Sequence, residues 1–370
     1  MRVNYYNISK DFTHVKKELF KNLSKIGKKG NFIDGQFLRK FEKKVSKLLG
    51  AKYAIGVANG TDALEIALKF YEFKPGSEVI TVSNSFVATV NAIINNNLKP
   101  VFCDIDETLN IDPSKISKLI NKKTVAIMPV HLNGMPCCLK KINEIAKKFN
   151  LKVIEDCAQS ILSRYDNKYI GNSDNICCFS LHPTKNLGAF GDAGFVTTND
   201  KKIYDFFKIV QNHGIISRGV SKYVGRNSRL DEIQASYVLE RLKKLKKETT
   251  KKQQVAKYYD KYLNKSKFIS APNYGCCRNI IHTYHRYVIR VAEREKLVDY
   301  LLKKKIDVKI HYLQLLHEQK PFQKYLNKKV NSLNKSINYN KKILSLPCNP
   351  HMKKSHIKYV VDAINDFYAS

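Results

Sequence analysis

The sequence predicts an α/β fold, with a mostly parallel central sheet flanked by helices and a smaller C-terminal α/β domain. Three observations predict it. Short apolar runs alternate with longer periodic segments as far as Asn199. Those runs are Val- and Ile-rich throughout rather than alternating, as strands covered on both faces must be. Beyond Asn199 the alternation gives way to helical patterns and one more strand.

In chain order the strand candidates are YAIGV (53–57), EVITV (78–82), PVFCDI (100–105), TVAIMPVHL (124–132), KVIED (152–156), ICCFSL (176–181) and GFVTT (194–198). Between the first five lie DALEIALKFY, TVNAIINNN, PSKISKLI and KINEIAKKF, each with apolar residues three and four apart, the period of a helix. Strand–helix–strand units of this length pair in parallel with helices on both faces. KKIYDFFKIVQ then reads as a helix, and residues 229–263 as a single long one. YHRYVIRV as a strand and EREKLVDYLLKKK as a helix complete the smaller unit. A boundary inside the long helix divides the chain into 1–250, a large domain with an N-terminal arm, and 251–370.

With 370 residues the chain is long enough for a sizeable core. The opening MRVNYYNISKDF lacks the apolar run of a signal peptide, and no stretch of about 18 apolar residues occurs, so a soluble cytoplasmic protein with no membrane role is expected. Nine cysteines, six of them in the adjacent pairs 137–138, 177–178 and 276–277, form no zinc-like repeat. They read as reduced core fillers, and no metal is expected. The net charge of +34 fits nucleic-acid binding, attraction of an anionic substrate, or a genome rich in Lys codons. The lysines are scattered along helices, with no Arg-rich arm and no aromatic–basic RNA signature, so no nucleic-acid partner is expected.

Chemistry concentrates in FSLHPTKNLGAFGDAG (179–194), where Lys185 follows a strand in a turn bounded by Pro and Gly. A lysine that traps an electrophile must lose its proton near neutral pH, which desolvation at a strand end promotes. Alone, a loop lysine is usually a solvated charge. VIEDCAQS (153–160) ends a buried strand with Asp156, a costly place for a carboxylate without a cationic partner. A protonated pyridine nitrogen is one such partner, with Gln159 near the ring's hydroxyl, while capping of a following helix is the plainer alternative. GVANGTDALEIAL (56–68) runs from a strand through a Gly turn into a helix whose free N–H groups suit an anion. There Thr61 offers a hydroxyl and Asp62 a cap, although such turns are commonly structural. Phe86 in VSNSFVAT lies flat on an aromatic ring or, on composition alone, in the core.

Taken together, NGTDALEIAL, SFVAT, VHLNGMP, VIEDCAQS, FSLHPTKNLGAFGDAG and GRNSRLDEIQAS resemble, in order and spacing over nearly the whole chain, the sugar aminotransferases of the DegT/DnrJ/EryC1/StrS family. This is a branch of the fold-type I enzymes that use pyridoxal 5′-phosphate (PLP). The resemblance implies that Lys185 holds PLP as a Schiff base and later moves a proton. It implies that Asp156 pairs with the ring nitrogen and Gln159 with the ring hydroxyl. Gly60, Thr61 and Ser180 would hold the phosphate, and Phe86 would stack on the ring. Asn227 would reach the phosphate of a neighbouring subunit, so a homodimer with shared sites is implied. The implied partners are an amino-acid donor, usually glutamate, and a nucleotide-linked keto-sugar.

NLGAFGDAG after the lysine resembles members that aminate C3, and a dTDP-3-keto-6-deoxyhexose is the expected acceptor. Amination at C4, a UDP-3-keto-uronic acid substrate, or a non-catalytic PLP-binding regulator are the alternatives. His182 is read as lining the sugar site or as a plain turn residue. His311, Tyr312 and His317 lie in KIHYLQLLHEQ, which is similar to a family run HYPxPxHxQ but lacks both prolines, leaving the loop's shape open. Arg229 is read as a diphosphate ligand or as a helix-start salt bridge. In MPCCL, a segment that caps a helix in the family is replaced.

Overall fold

The computed structural model describes residues 1–263, 269–270, 279–326 and 332–369, so the cysteine pair 276–277 lies outside the described residues. Two helices, α1 (Ile8–Lys29) and α2 (Gln36–Leu49), precede the first strand. The alternation of strands and helices does not announce them. Their lysine-rich faces hide an apolar stripe of Val15, Leu19 and Ile26 on α1 and of Phe37, Leu38, Phe41, Val45 and Leu49 on α2, all buried.

The alternating region then follows as β1 (Tyr53–Val57), α3 (Gly60–Phe70), β2 (Glu78–Val82), α4 (Val87–Asn95), β3 (Lys99–Cys103), the single turn α5 (Pro113–Ile116), β4 (Thr124–Ile127), α6 (Leu139–Lys148) and β5 (Lys152–Asp156). A hairpin of β6 (Arg164–Tyr165) and β7 (Lys168–Tyr169) leads to β8 (Ile176–Ser180) and β9 (Gly194–Thr198). These build a seven-stranded sheet in the order β1-β9-β8-β5-β4-β2-β3. Pairings from β3 through β2, β4 and β5 to β8 are parallel, and β8–β9 and β9–β1 are antiparallel, so the sheet is mostly parallel as expected. The carboxyl ends of the adjacent central strands β5 and β8 therefore lie side by side, and the start of α3 meets the end of β8, which places the chemistry-bearing segments together.

The run TVAIMPVHL is shorter as a strand than its composition suggests. Regular pairing stops at Ile127 because Pro129 has no N–H to give, and the chain then curls over β5, with His131 N–H donating to the Asp156 carbonyl at 3.0 Å. The predicted long helix is also two: after α7 (Lys201–Val210) and the hairpin β10 (Ile215–Ser217) and β11 (Val220–Ser221), α8 (Glu232–Leu242) and α9 (Leu245–Tyr262) meet at a bend at Lys243–Lys244. The bend has a packing cause. Ala235, Val238 and Leu239 join the core under α2, whereas Val255, Ala256 and Tyr259 join a separate cluster with C-terminal residues, and one straight rod cannot serve both.

That second cluster covers a small antiparallel sheet of β12 (Ile269–Ser270), β13 (Tyr287–Val291) and β14 (Ile343–Leu346), with α10 (Arg294–Lys303), α11 (Asn334–Asn340) and α12 (Lys354–Ala369). The N-terminal arm belongs to it as well. Val3 pairs with Ile306, and Asn349 donates from its amide to the carbonyls of Asn4 and Tyr5. The seven described cysteines are free, six of them buried. Among the described residues no helix is long and apolar enough to cross a membrane.

One carboxylate ties α8 to α2. Glu232, 1% exposed, accepts the Phe37 N–H at 3.0 Å and the Leu38 N–H at 2.7 Å, capping α2 from another element. Gly35 permits this, since a Cβ there would lie 2.4 Å from the Glu232 side chain. Glu232→Ala is expected to cost about 3 kcal/mol by leaving two buried donors unmet. It should lower the urea midpoint with little change in slope, and Glu232→Gln should recover part of the loss.

Candidate active site

Lys185 sits on a short excursion between β8 and β9. Leu181 N–H donates to the Ala193 carbonyl at 2.8 Å and Ala189 N–H to the Leu181 carbonyl at 2.7 Å, closing the neck of the loop. Leu181, Leu187 and Ala189 are buried and pin it to the core. Gly188 is needed for the tight return, because a Cβ there would sit 2.4 Å from the Pro183 carbonyl oxygen. The loop is also held from the other side: Lys252 on α9 donates to the Asn186 side chain at 2.8 Å, and Asn186 in turn donates to the Thr283 carbonyl. Burial lowers the Lys185 ammonium to about 7, the Arg286 guanidinium pushes the same way, and Asp156 opposes them.

Asp156 ends β5 and is 5% exposed. Thr89 on α4 donates its hydroxyl to one carboxylate oxygen at 2.8 Å, and Ala158 N–H reaches the other at 3.1 Å. Turns and a short strand, not a helix, follow Asp156 directly, so the helix-capping alternative is replaced by this local turn. Beneath it, Glu155 is fully buried against His131, whose Nδ1 accepts the Cys137 N–H and whose Nε2 therefore donates to Glu155 at 3.0 Å. Burial pushes the Glu155 carboxyl up, but hydrogen bonds from His131, Asn175 and Ser173 outweigh it and leave it below its ordinary range. The ligand atoms of Cys157, His131 and Glu155 lie within 4.8 Å of one another, but His131 and Glu155 already satisfy each other.

Gln159 is 4% exposed, and its Oε1 accepts from the Asn133 backbone at 2.8 Å and from Arg286 at 3.3 Å. Its amide nitrogen is thereby turned toward the Tyr312 hydroxyl, 3.4 Å away. Gly60 opens α3 directly against the end of β8. A Cβ on it would lie 2.8 Å from that of Ser180, so only glycine lets the helix start come this close. The cap of α3 is Asn59, whose side chain accepts the Asp62 N–H at 2.8 Å. This corrects the expectation for Asp62, which instead pairs with Arg226 at 2.9 Å. The N–H groups of Gly60 and Thr61 lie in the first turn, where a helix supplies no acceptor of its own.

Phe86 is 55% exposed, with its ring 6.2 Å from that of Tyr312, so the core alternative fails. His182 is exposed, its Nδ1 meeting the Thr184 hydroxyl at 2.9 Å, and burial and Lys185 lower its imidazolium. His311 bonds the Ser345 hydroxyl at 2.9 Å, and burial, then Arg286, push it down to about 2. His317 faces inward, with Nδ1 on the Ser83 hydroxyl at 2.7 Å and its ring near Phe102. Arg229 forms no salt bridge with Asp231. Its side chain reaches Asn212 at 2.8 Å, an anchor that the neighbouring acid on the sequence does not suggest. Asn227 is exposed, with its backbone bridged to Asn212. The Cys138 side chain makes no cap for α6, in keeping with the altered MPCCL segment.

The fold adds residues that sequence reasoning did not single out. Tyr5, Tyr6 and Lys252 line a cavity of about 40 Å³ beside Lys185, and Arg286 lies close enough to act on the Lys185 charge and on the Tyr6 hydroxyl. Arg286 and Lys252 look in sequence like a strand residue and one more helix lysine, and only tertiary packing brings them here. Thr89 could have been found, because it lies within the VSNSFVAT turn that also carries Phe86.

A buried carboxylate, an amine of lowered basicity and a glycine-built helix start are of the chemical kinds that suit a phosphorylated aromatic aldehyde. The sequence profile described as the DegT/DnrJ/EryC1/StrS aminotransferase family matches residues 13–365. The chain is 38% identical over 352 residues to the dTDP-3-amino-3,6-dideoxy-alpha-D-galactopyranose transaminase of Aneurinibacillus thermoaerophilus, covering 95% of both chains. It is 35% identical over 371 residues to a protein of Geobacillus stearothermophilus named pleiotropic regulatory protein, covering 100% of this chain and 99% of that one. Among solved structures, S. venezuelae DesV in complex with a ketimine intermediate matches at a TM-score of 0.96 and 28% identity, covering 100% of this chain and 99% of the other.

In cofactor-free protein the Lys185 amine is expected to titrate at about 7, far below an ordinary lysine at 10.5. Competitive acylation across pH, read peptide by peptide in a mass spectrometer, measures this, and half-modification at the ordinary value would mean a solvated lysine. The sign for stability follows. The unfolded chain holds the extra proton between those values, so the cost of burying Lys185 is full below the lower one and disappears as pH rises through the window.

Proposed function

The chain belongs to the DegT/DnrJ/EryC1/StrS aminotransferase family, and from that premise we propose that it moves an amino group from L-glutamate to C3 of a dTDP-3-keto-6-deoxyhexose, giving a dTDP-3-amino-3,6-dideoxyhexose. It is a PLP-dependent nucleotide-sugar transaminase. The observation that carries the reading is the burial of Lys185, its ammonium lowered to about 7, near enough to the buried Asp156 for the carboxylate to act on its charge.

Bound PLP supplies an electron sink next to the carbon that gains or loses its proton. The residues of the chain do the rest. Lys185 would hold the cofactor through its amine and, once displaced by an amino acid, would serve as the base and acid that moves the substrate's proton. A lysine near its pKa at neutral pH serves as both acid and base. Asp156, oriented by Thr89 and Ala158, would pair with the ring nitrogen and favour its protonated form. The Gln159 amide nitrogen, turned by Asn133 and Arg286, donates to the ring hydroxyl. Gly60, Thr61 and Ser180 take the phosphate at the start of α3, where N–H groups and the helix dipole favour an anion. Phe86 covers the ring face.

Toward the sugar we place His182, His311 and Tyr312. His317 and Arg229 serve it by holding their loops, to Ser83 and Asn212. The division near residue 250 into a cofactor-binding and a smaller domain accords with the two core clusters that the two ends of α9 join. A homodimer is supported by exposed apolar residues of the large domain, among them Phe32, Phe190, Ile216 and Val224, together with the exposed Asn227 offered to a partner's phosphate. A cytoplasmic enzyme feeding a surface glycan of the O-antigen or lipopolysaccharide kind fits a nucleotide-sugar product.

Lys185→Ala is expected to abolish the visible absorbance of the lysine-bound cofactor and to lower turnover at least about 10³-fold, the scale of losing an acid–base group. Retention of that absorbance would overturn the lysine assignment. Incubation with L-glutamate and prepared dTDP-3-keto- and dTDP-4-keto-6-deoxyhexoses, followed by NMR of the product, tests the carbon, and amination at C4 alone would overturn the choice of C3.

A further inference from the structure

Among the described residues Arg286 is a buried cation without a counter-ion. It is 6% exposed, and its Nε is buried with no hydrogen-bond partner. Its other contacts are neutral. Nη1 donates to Gln159 Oε1, and Nη1 and Nη2 both lie 3.3 Å from the Tyr312 hydroxyl, with the Tyr6 hydroxyl alongside. The ring of Tyr312 lies under the guanidinium at 5.1 Å. Among the described residues no carboxylate forms an ion pair with it, whereas Arg226, Arg241, Arg290 and Arg294 all have one.

The groups that face Arg286 do not offset its charge. Burial raises the phenols of Tyr5 and Tyr6, which stay neutral, and burial lowers the imidazoles of His285 and His311, which stay neutral as well. Lys185 and Lys252 are further buried bases, and Asp156 is the acid among the groups that act on Lys185. With a protonated ring nitrogen on Asp156, that single negative charge is spent. A desolvated guanidinium left alone costs several kcal/mol, and its planar fork matches a carboxylate.

We propose that Arg286 receives a substrate carboxylate beside Lys185, that of the amino-acid donor in the first half-reaction. The inference rests on the reading of the pocket as a PLP transaminase site. Every turnover brings in a donor carboxylate and takes out the 2-oxo acid that keeps it, while a 6-deoxy sugar brings none. A 3-keto-uronic acid is a second source of the same group. Tyr312 and Tyr6 then act as positioning residues that hold the fork in its plane.

The test uses the PLP-loaded enzyme and the variants Arg286→Gln and Arg286→Lys. Calorimetric binding of glutarate, a dicarboxylate with no amino group, should weaken about 100-fold in Arg286→Gln and less in Arg286→Lys, as expected for removing one partner of a desolvated charge pair. The single-turnover reaction with L-glutamate should slow by a similar factor, and far more than return of the cofactor absorbance with the 3-keto-6-deoxyhexose, which loses only the support that Arg286 gives Gln159. Loss with the 3-keto-uronic acid and not with L-glutamate assigns the carboxylate to the sugar. Unchanged glutarate binding, or equal slowing of L-glutamate and 6-deoxy sugar, overturns the proposal and leaves Arg286 as a support for Gln159. If Arg286→Gln folds poorly, Arg286→Lys carries the same comparison. Wild-type protein with no lysine-dependent absorbance would instead overturn the transaminase reading itself.

Discussion

The burial of one carboxylate opposite one amine governs the rest of the pocket. Asp156 lies inside the sheet at the carboxyl end of a parallel strand, where an ionised acid must be met by donors or by positive charge. Thr89 and Ala158 supply donors, and Lys185 is a nearby source of positive charge. The same desolvation that makes Asp156 costly makes the Lys185 amine a weak base, so one dry environment prepares both groups. Residues farther out keep that environment intact. The Glu155–His131 pair stiffens the strand below, Lys252 holds the loop from behind, and Tyr5 and Tyr6 roof it.

How much of this could be read from the chain follows a physical division. Strands covered on both faces announce themselves as apolar runs, and all seven lie where composition placed them to within a few residues. What composition could not weigh was Pro129, which ends β4 early, and the bend at Lys243–Lys244, which appears only because the two flanking stretches pack into different cores. The helices α1 and α2 escaped notice because so many lysines interrupt their apolar stripes. At the site, the residues on strand ends and turns were legible, since a short motif fixes their local geometry. Arg286, Lys252 and the arm tyrosines were not, because nothing local distinguishes them from ordinary strand, helix and terminal residues.

The large positive charge of the chain separates into two physical kinds. Most lysines are solvated or form exposed pairs such as Lys358–Asp362, which are screened and contribute little to stability. A few basic groups lie dry around the pocket, and these set the local field that an anionic nucleotide-sugar or dicarboxylate meets on entry. The total of +34 is therefore a poor guide to function, whereas the placement of two or three charges is a good one.

The arm has a practical bearing. Val3 is zipped to the edge beside Ile306, Asn4 and Tyr5 are gripped by Asn349, and Tyr5 and Tyr6 run directly into the pocket wall. A purification tag or reporter fused ahead of Met1 would tug on that wall, and its effects on turnover could be mistaken for chemistry. The far end of α12 offers a safer attachment, since Ala369 is exposed and α12 packs on the small sheet's cluster, away from Lys185.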